Sequence, residues 1–438
     1  MAEAVLIDLF NLKMNLQNNC TQKLLSRTLE GATGKHYPFV YIMCCQTLRI
    51  ERSSEHNVLL KSISGLQFLK KGFEVVYASC TAAVLYTIKQ KLDEKDISLI
   101  KIILPLQRRA LMRVFLDHLF TTVYQFEFED LMVDCDPHNF QQPAEPCREL
   151  QILADRDLEA IRSEIQMHLE SLPSLKGELT ILKSSLISDN IFLHGFTTRT
   201  GGISYIPTLG SFNLFSSSKR RDPTAVVKEN LRRLAKAAAP HNWSHFFLST
   251  VNHANDVWIM GKTEPDSYDG IVTNRKGITI AAPGADCIPV LFADPVKKAC
   301  GAAHSGWQGT LLGVAMATVN AMVAEYGCNV RDIIVVLGPS VGPCCFKLPQ
   351  ESAKRFHSLD PKCVRMFDLP TPYINIRRAT RVLLEAGGIL PQNIQDDSIA
   401  DQNQNLTLCT SCHPDKFYSH VRDGENFGTQ IGFISIRE

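Results

Sequence analysis

Ile278-Thr279-Ile280-Ala281-Ala282 and Ile288-Pro289-Val290-Leu291-Phe292 are two short apolar, β-branched runs separated by Pro283-Gly284-Ala285-Asp286-Cys287. Runs of this length, broken by turn formers, read as strands. A third run at 333–337 follows a helical stretch at 310–326. Strands interleaved with a helix predict an α/β fold. The expected unit is a mixed-sheet catalytic domain over residues 177–438.

Cys287 ends the segment between the first two runs. His304 follows in Gly301-Ala302-Ala303-His304-Ser305-Gly306-Trp307, and His253 precedes both. Each can donate a lone pair to a borderline metal. Two imidazoles and one thiolate are one donor short of a closed tetrahedron, and catalytic zinc keeps three protein ligands with a place left open. If the three converge, the chain is a metal-dependent enzyme. Their spacing forms no local metal motif, so a core thiol beside two hydrogen-bonded histidines is the alternative.

Upstream, residues 38–47, 73–79 and 97–104 are further strand-like runs. Between the last two, residues 81–95 carry Ala83, Leu85, Ile88 and Leu92 at helical spacing, which suggests a βαβ unit. Residues 106–120 read as a second helix and 123–128 as an alternating strand. A smaller α/β domain is therefore expected at 1–133, with no glycine-rich phosphate loop and no catalytic constellation. Residues 134–146 hold three prolines among polar residues and read as linker; 148–172 have helical periodicity and stop at Pro173. Together, 134–176 are the expected linker and connecting helix.

A chain of 438 residues is long enough for two or three domains. With 46 basic and 45 acidic residues the net charge is +1, which offers no field for nucleic acid or anionic membranes. The first residues contain no basic stretch followed by an apolar core, and no run of 18 or more uncharged apolar residues occurs. The 14 cysteines lack the spacing of a small disulfide framework, so free thiols and a cytoplasmic setting are expected.

Other segments can carry chemistry. Thr198-Arg199-Thr200-Gly201-Gly202 follows an apolar run and combines a guanidinium, hydroxyls and an approachable backbone, the parts of a phosphate or ribose clamp. A tight turn with a solvated arginine is the alternative. Asp269, in Asp269-Gly270, and Asp286 lie beside the candidate metal segments, where either could orient a ligand or transfer a proton. Gly338-Pro339-Ser340-Val341-Gly342-Pro343-Cys344-Cys345 ends an apolar strand and reads as a ligand-facing loop or a rigid turn. Cys409-Thr410-Ser411-Cys412-His413 is half of a zinc site, with no second Cys-x-x-Cys or histidine pair. None of the 13 histidines stands two residues from another, which opposes a trinuclear copper cluster.

Six motifs in order, spanning residues 198–412, complete the reading. They are Thr198-Arg199-x-Gly201-Gly202-x-Ser204, Tyr268-Asp269-Gly270, Ala285-Asp286-Cys287-x-Pro289, Ala303-His304-x-Gly306-Trp307-x-Gly309, Gly338-Pro339-Ser340-x-Gly342 and Cys409-Thr410-x-Cys412. The C-terminal domain resembles the laccase-domain family, multicopper polyphenol oxidase-like proteins understood as purine nucleoside phosphorylases. With its additional N-terminal domain, the chain resembles the animal members, which are associated with innate immunity and inflammation.

The resemblance implies one zinc ion on His253, Cys287 and His304. It implies phosphorolysis of adenosine, inosine, guanosine and S-methyl-5'-thioadenosine, with phosphate as co-substrate, and deamination of adenosine. Within that reading, Asp286 and Arg199 are the catalytic candidates, and Arg199, Gly201, Gly202 and Asp269 the substrate-binding ones. Departures from the family pattern are Val251-Asn252-His253-Ala254 for Gln-Val-His-Gly, Gly428-Thr429 for Gly-Arg, and Ser419-His420-Val421-Arg422 for Ser-Tyr-Arg-Arg. Two other functions compete: an interaction protein with an inactive enzyme-like domain, docking partners through its N-terminal region, and a copper phenol oxidase.

Overall fold

The computed structural model describes residues 2–10, 39–45, 73–131, 154–238, 246–396, 406 and 408–437. The linker expected at 134–146 lies outside the described residues. The chain divides into two compact units, Met1–Leu172 with Ser216–Val226, and Pro173–Phe215 with Val227–Glu438.

In the first unit, strands β1 (Ala4–Asp8), β2 (Phe39–Cys45), β3 (Phe73–Ala78), β4 (Leu99–Leu104) and β5 (Gln125–Asp130) form a sheet of order β3-β2-β1-β4-β5. Every pairing in it is parallel. The expected strand–helix–strand unit is present as β3, helix α1 (Thr81–Glu94) and β4. Its two strands are not neighbours, because β2 and β1 lie between them.

Strand β1, which the patterning did not single out, is the central one. All five of its residues are buried, so it has no polar alternation to betray it. Asp8 at its end is fully buried, and such a carboxylate is tolerable only when paired; Arg108 Nε donates to it at 2.6 Å. Helices α2 (Arg109–Leu119) and α3 (Asp155–Ser171) complete the unit. Helix α3 buries Ile161, Ile165 and Leu169, one residue per turn, and Glu164 accepts the Ala82 N–H at 2.8 Å.

The second unit is built on two mixed sheets. Its strands are β6 (Ile181–Leu182), β7 (Phe192–Thr197), β8 (Phe246–Leu248), β9 (Val257–Ile259), β10 (Gly270–Thr273), β11 (Thr279–Gly284), β12 (Ile288–Asp294), β13 (Ala299–Ser305), β14 (Ile334–Leu337), the small pair β15 (Val364–Arg365) and β16 (Tyr373–Ile374), β17 (Ile394–Gln395) and β18 (Gln430–Ile436). Six of them run in the order β17-β14-β12-β13-β10-β9, and five in the order β6-β7-β18-β11-β8. Phe196, Ile280, Leu291, Ala302, Val336 and Ile434 fill the layer between the sheets.

Leu231 and Leu234 of helix α4 (Thr224–Ala238) pack with Phe212 and Phe433 beyond the five-stranded sheet. Helices α5 (Trp307–Leu312), α6 (Val314–Tyr326), α7 (Gln350–Leu359) and α8 (Ile376–Ala386) follow in the chain. Val319 and Met322 of α6 and Ala379 of α8 join the apolar cluster on the other face of the six-stranded sheet, with Phe292 and Val335. The helix expected at 310–326 is thus two helices, broken at Gly313, whose φ of 78° suits glycine.

One detail of this architecture places the chemistry. The two runs that suggested the fold belong to different sheets: β11 pairs with β18 and β8, whereas β12 pairs with β13 and β14. Ala285-Asp286-Cys287 is therefore a step from one layer to the other. No described helix is long and apolar enough to cross a membrane, and no disulfide links the described cysteines.

Candidate metal centre

His253, Cys287 and His304 converge: one ligand atom from each lies within 4.8 Å of the others. Three separate backbone devices bring them together. Strand β13 is made of small residues, which lets it sit wholly buried between β12 and β10, and His304 lies one residue before its end. The antiparallel register Pro289↔His304 sets the start of β12, and so Cys287, beside the imidazole. His253 comes from the loop after β8, with φ at 64° in the left-handed region that non-glycine residues rarely occupy.

Asp269 ties these devices together. It immediately precedes β10, whose register Gly270↔Ala303 puts it opposite His304. Its carbonyl accepts the His304 amide N–H at 2.8 Å, and its Oδ1 lies 2.8 Å from His304 Nδ1. The same carboxylate accepts the amides of Asn252, His253 and Ala254 at 3.2, 3.2 and 2.9 Å. One buried side chain thus folds the loop that carries the first ligand and orients the ring of the third. With Nδ1 engaged, Nε2 of His304 is the nitrogen left for a metal.

Electrostatics follow from the packing. Burial alone would push the Cys287 thiol up, but the adjacent His304 and a hydrogen bond from His253 outweigh it and bring the thiol down to about 6. Burial would lower His304, yet the Cys287 sulfur and the Asp269 carboxylate raise it to about 9. Asp269 itself is resisted by burial but held below the usual carboxylate range by His304 and the loop amides. A thiolate is the form that ligates metal.

The rings of His253 and His304 meet edge to face, with centroids 4.9 Å apart. His253 is exposed whereas His304 is buried, so the donor set has a buried side and a side open to solvent. Gly306 forms its wall: a Cβ there would stand 3.0 Å from Cys287 Sγ and 3.3 Å from His253 Cδ2. Because φ at Gly306 is −73°, alanine fits the backbone and meets only this crowding. Gly306→Ala is expected to weaken metal affinity about tenfold by displacing the sulfur, roughly 1.4 kcal/mol. Competition with a chromogenic chelator measures this, and wild-type affinity would show that the sulfur has room to move.

The other expected site residues are placed differently. Both carboxylate oxygens of Asp286 are engaged, Oδ1 accepting from Thr410 Oγ1 at 2.6 Å and Oδ2 from the Val421 amide at 2.6 Å. The side chain is buried and anchors two C-terminal loops to the step beside Cys287. Expectation and structure part at Arg199. It is buried, and its Nε, Nη1 and Nη2 donate to the carbonyls of Gly210, Pro414 and Pro207 at 2.9, 2.7 and 2.8 Å. Its guanidinium also lies 4.8 Å from the centroid of the Tyr418 ring.

Gly201 and Gly202 are close-packed beside it; a Cβ at Gly202 would fall 2.0 Å from the Ser211 carbonyl oxygen. The expected anion clamp is thus a staple between segments, since each guanidinium nitrogen is committed to a carbonyl and the glycines are filled by their neighbours. Arg199→Ala is expected to cost about 2–4 kcal/mol of stability, because a buried guanidinium that ties three carbonyls together is lost, one of those bonds buried and two partly so. Urea unfolding measures this, and an unchanged midpoint would show the three bonds to be dispensable.

Residues 193–437 match the multi-copper polyphenol oxidoreductase laccase family. The chain belongs to that family. Over 442 residues it is 63% identical to the human (Homo sapiens) purine nucleoside phosphorylase LACC1, with 100% of both chains covered. It is 30% identical over 258 residues to the purine nucleoside phosphorylase YlmD of Bacillus subtilis, covering 56% of this chain and 88% of that protein. The crystal structure of YlmD from Geobacillus stearothermophilus aligns with a TM-score of 0.51 at 26% identity, covering 58% of this chain and 94% of that one.

Proposed function

We propose that this protein is a zinc-dependent purine nucleoside enzyme. It would split adenosine, inosine, guanosine and S-methyl-5'-thioadenosine with phosphate into base and pentose 1-phosphate, and deaminate adenosine to inosine. The observation that carries the reading is the convergence of His253, Cys287 and His304, with Asp269 behind His304, in a chain whose full-length relatives are named purine nucleoside phosphorylases. One thiolate and two imidazoles fit zinc, and three donors with an open side fit a catalytic rather than a structural ion. The absence of His-x-His pairs in the sequence favours zinc over copper.

Bound there, zinc would supply a Lewis acid in a polar, partly enclosed site. The chain's own residues do the rest of the positioning. Asp269 holds the His304 ring in one orientation and fixes the loop of His253, so the donors need little rearrangement on binding. Asp286 is the positioning residue on the other flank, clamping Thr410 and Val421 against the Cys287 step. Its occupied oxygens fit that role better than proton transfer, and the buried, carbonyl-bound Arg199 supports the scaffold rather than phosphate. The reading keeps the zinc ligands and leaves the phosphate-binding group to other residues.

Incubating purified protein with adenosine, with and without phosphate, and resolving products by mass tests the proposal. Adenine and ribose 1-phosphate should appear only with phosphate, and inosine without it. No nucleoside turnover by zinc-loaded protein would overturn it.

A further inference from the structure

Cys409 and Cys412 have the partners that the sequence did not offer. Cys344 and Cys345, at the end of the Gly338–Cys345 loop, bring their sulfurs to the same place, and all four Sγ atoms lie within 4.8 Å of one another. We propose that Cys344, Cys345, Cys409 and Cys412 form a second metal site, a closed tetrathiolate that takes a structural zinc ion. The assignment is independent of the His253–Cys287–His304 centre.

Geometry favours a metal over a disulfide. Cys344 Sγ and Cys345 Sγ lie 3.6 and 3.3 Å from Cys412 Sγ. A disulfide needs about 2.05 Å. Four sulfurs at about 2.3 Å from a central zinc stand about 3.8 Å apart, close to what is present. Sulfurs drawn from two loops so distant in sequence, and aimed at one point, are the arrangement a closed site requires.

The surroundings suit it as well. The Gly342 amide donates to Cys409 Sγ at 3.2 Å, a backbone N–H···S bond of the kind that supports a ligating thiolate. The two loops are already registered, since Ser340 bridges Cys409 and the Thr410 amide donates to the Ser340 carbonyl at 3.1 Å. Three guanidinium groups serve these loops. Arg365 donates to the Pro343 carbonyl at 3.2 Å, Arg422 to that of Thr410 at 2.9 Å, and Arg377 to that of Leu408 at 3.0 Å. A zinc tetrathiolate carries a net charge of −2; Arg365 and Arg377 are the cations on these loops that favour it, whereas Arg422 is already paired with Asp423 at 2.8 and 2.7 Å.

The site also has something to hold in place. Thr410, between the two cysteines of Cys409-x-x-Cys412, donates to Asp286, the residue before Cys287. Zinc on the four thiolates would fix the loop that fixes that step.

The test is metal stoichiometry on protein purified under reducing conditions, read by elemental analysis and by release to a chromogenic chelator. Wild type should carry two zinc ions per chain. Cys412→Ser and Cys344→Ser should each carry one, Cys287→Ser one, and the Cys287→Ser/Cys412→Ser double variant none. Cobalt(II) loaded into Cys287→Ser should show the intense thiolate-to-cobalt charge-transfer bands of a tetrathiolate.

A Cys287→Ser protein that holds no metal, or whose cobalt spectrum lacks those bands, would overturn the proposal even if the cluster variants fail to fold. So would a mass lower by two hydrogens that maps to a disulfide among the four cysteines of the reduced preparation. Failure of the catalytic reading looks different: wild type would bind one ion, lost in Cys412→Ser and kept in Cys287→Ser.

Discussion

Cys287→Ser is expected to lower kcat/KM for adenosine phosphorolysis roughly a thousandfold or more, about 4 kcal/mol of transition-state stabilisation. Serine keeps the size of the side chain and the step between the sheets, but its hydroxyl does not ionise near neutral pH and is a poor zinc ligand. The sulfur is also the counter-charge that raises His304. With it gone, the two imidazoles face each other across a site with no anion between them. Folding should survive, because the strands on either side keep their ladders. Steady-state kinetics beside metal analysis and a thermal melt check this. Near-wild-type turnover in a metal-depleted Cys287→Ser protein would remove the thiolate from the chemistry.

The second large effect is expected at Asp269. Asp269→Asn preserves shape but turns one acceptor into a donor that faces amides and an imidazole. Zinc affinity should fall about 10–100-fold, the usual cost of losing a carboxylate behind a metal-binding histidine. Stability should fall by about 1–3 kcal/mol, because three partly buried amide donors lose a charged acceptor. The two losses separate by measurement: chelator competition reads the first, and unfolding of the metal-free protein the second. A variant with unaltered metal affinity would make Asp269 a turn residue only, which its place before Gly270 also permits.

Much of the second unit was legible because its strands are short apolar runs between turn formers, and the His253–Cys287–His304 cluster because its residue types are chemically distinctive. What stayed hidden follows from physics that a linear pattern does not carry. Strand β13, with Ala, Gly and Ser at most positions, has poor β propensity; it is a strand because small side chains fit its place in the six-stranded sheet, packed on one face by helix α6 and on the other by the five-stranded sheet. Asp269 is legible as a carboxylate that could orient a ligand or transfer a proton, but which ligand it faces is set only by the pairing of β10 with β13, which puts it opposite His304. The Cys344-Cys345 pair lies more than sixty residues from Cys409, so spacing could not join them. Arg199 misled for the opposite reason: a Thr-Arg-x-Gly-Gly loop looks the same whether its guanidinium faces an anion or three carbonyls.

His253 and Asp286 share a further property, with φ at 64° and 96°, where an L-residue is at odds with its own Cβ. Each such position costs about 1–3 kcal/mol. Glycine would relieve that tension, yet at His253 it would delete a member of the candidate metal cluster and at Asp286 the anchor for two loops. Asp96, Lys176, Lys298 and Met366 occupy the same backbone region away from the candidate metal centre, so at His253 and Asp286 it is the side chain that fixes the residue type. An engineer who selects this chain for heat resistance should therefore find Asp286 refractory, since glycine there would leave Thr410 and the Val421 amide without their acceptor, and His253 the position where backbone ease and the candidate metal site part company.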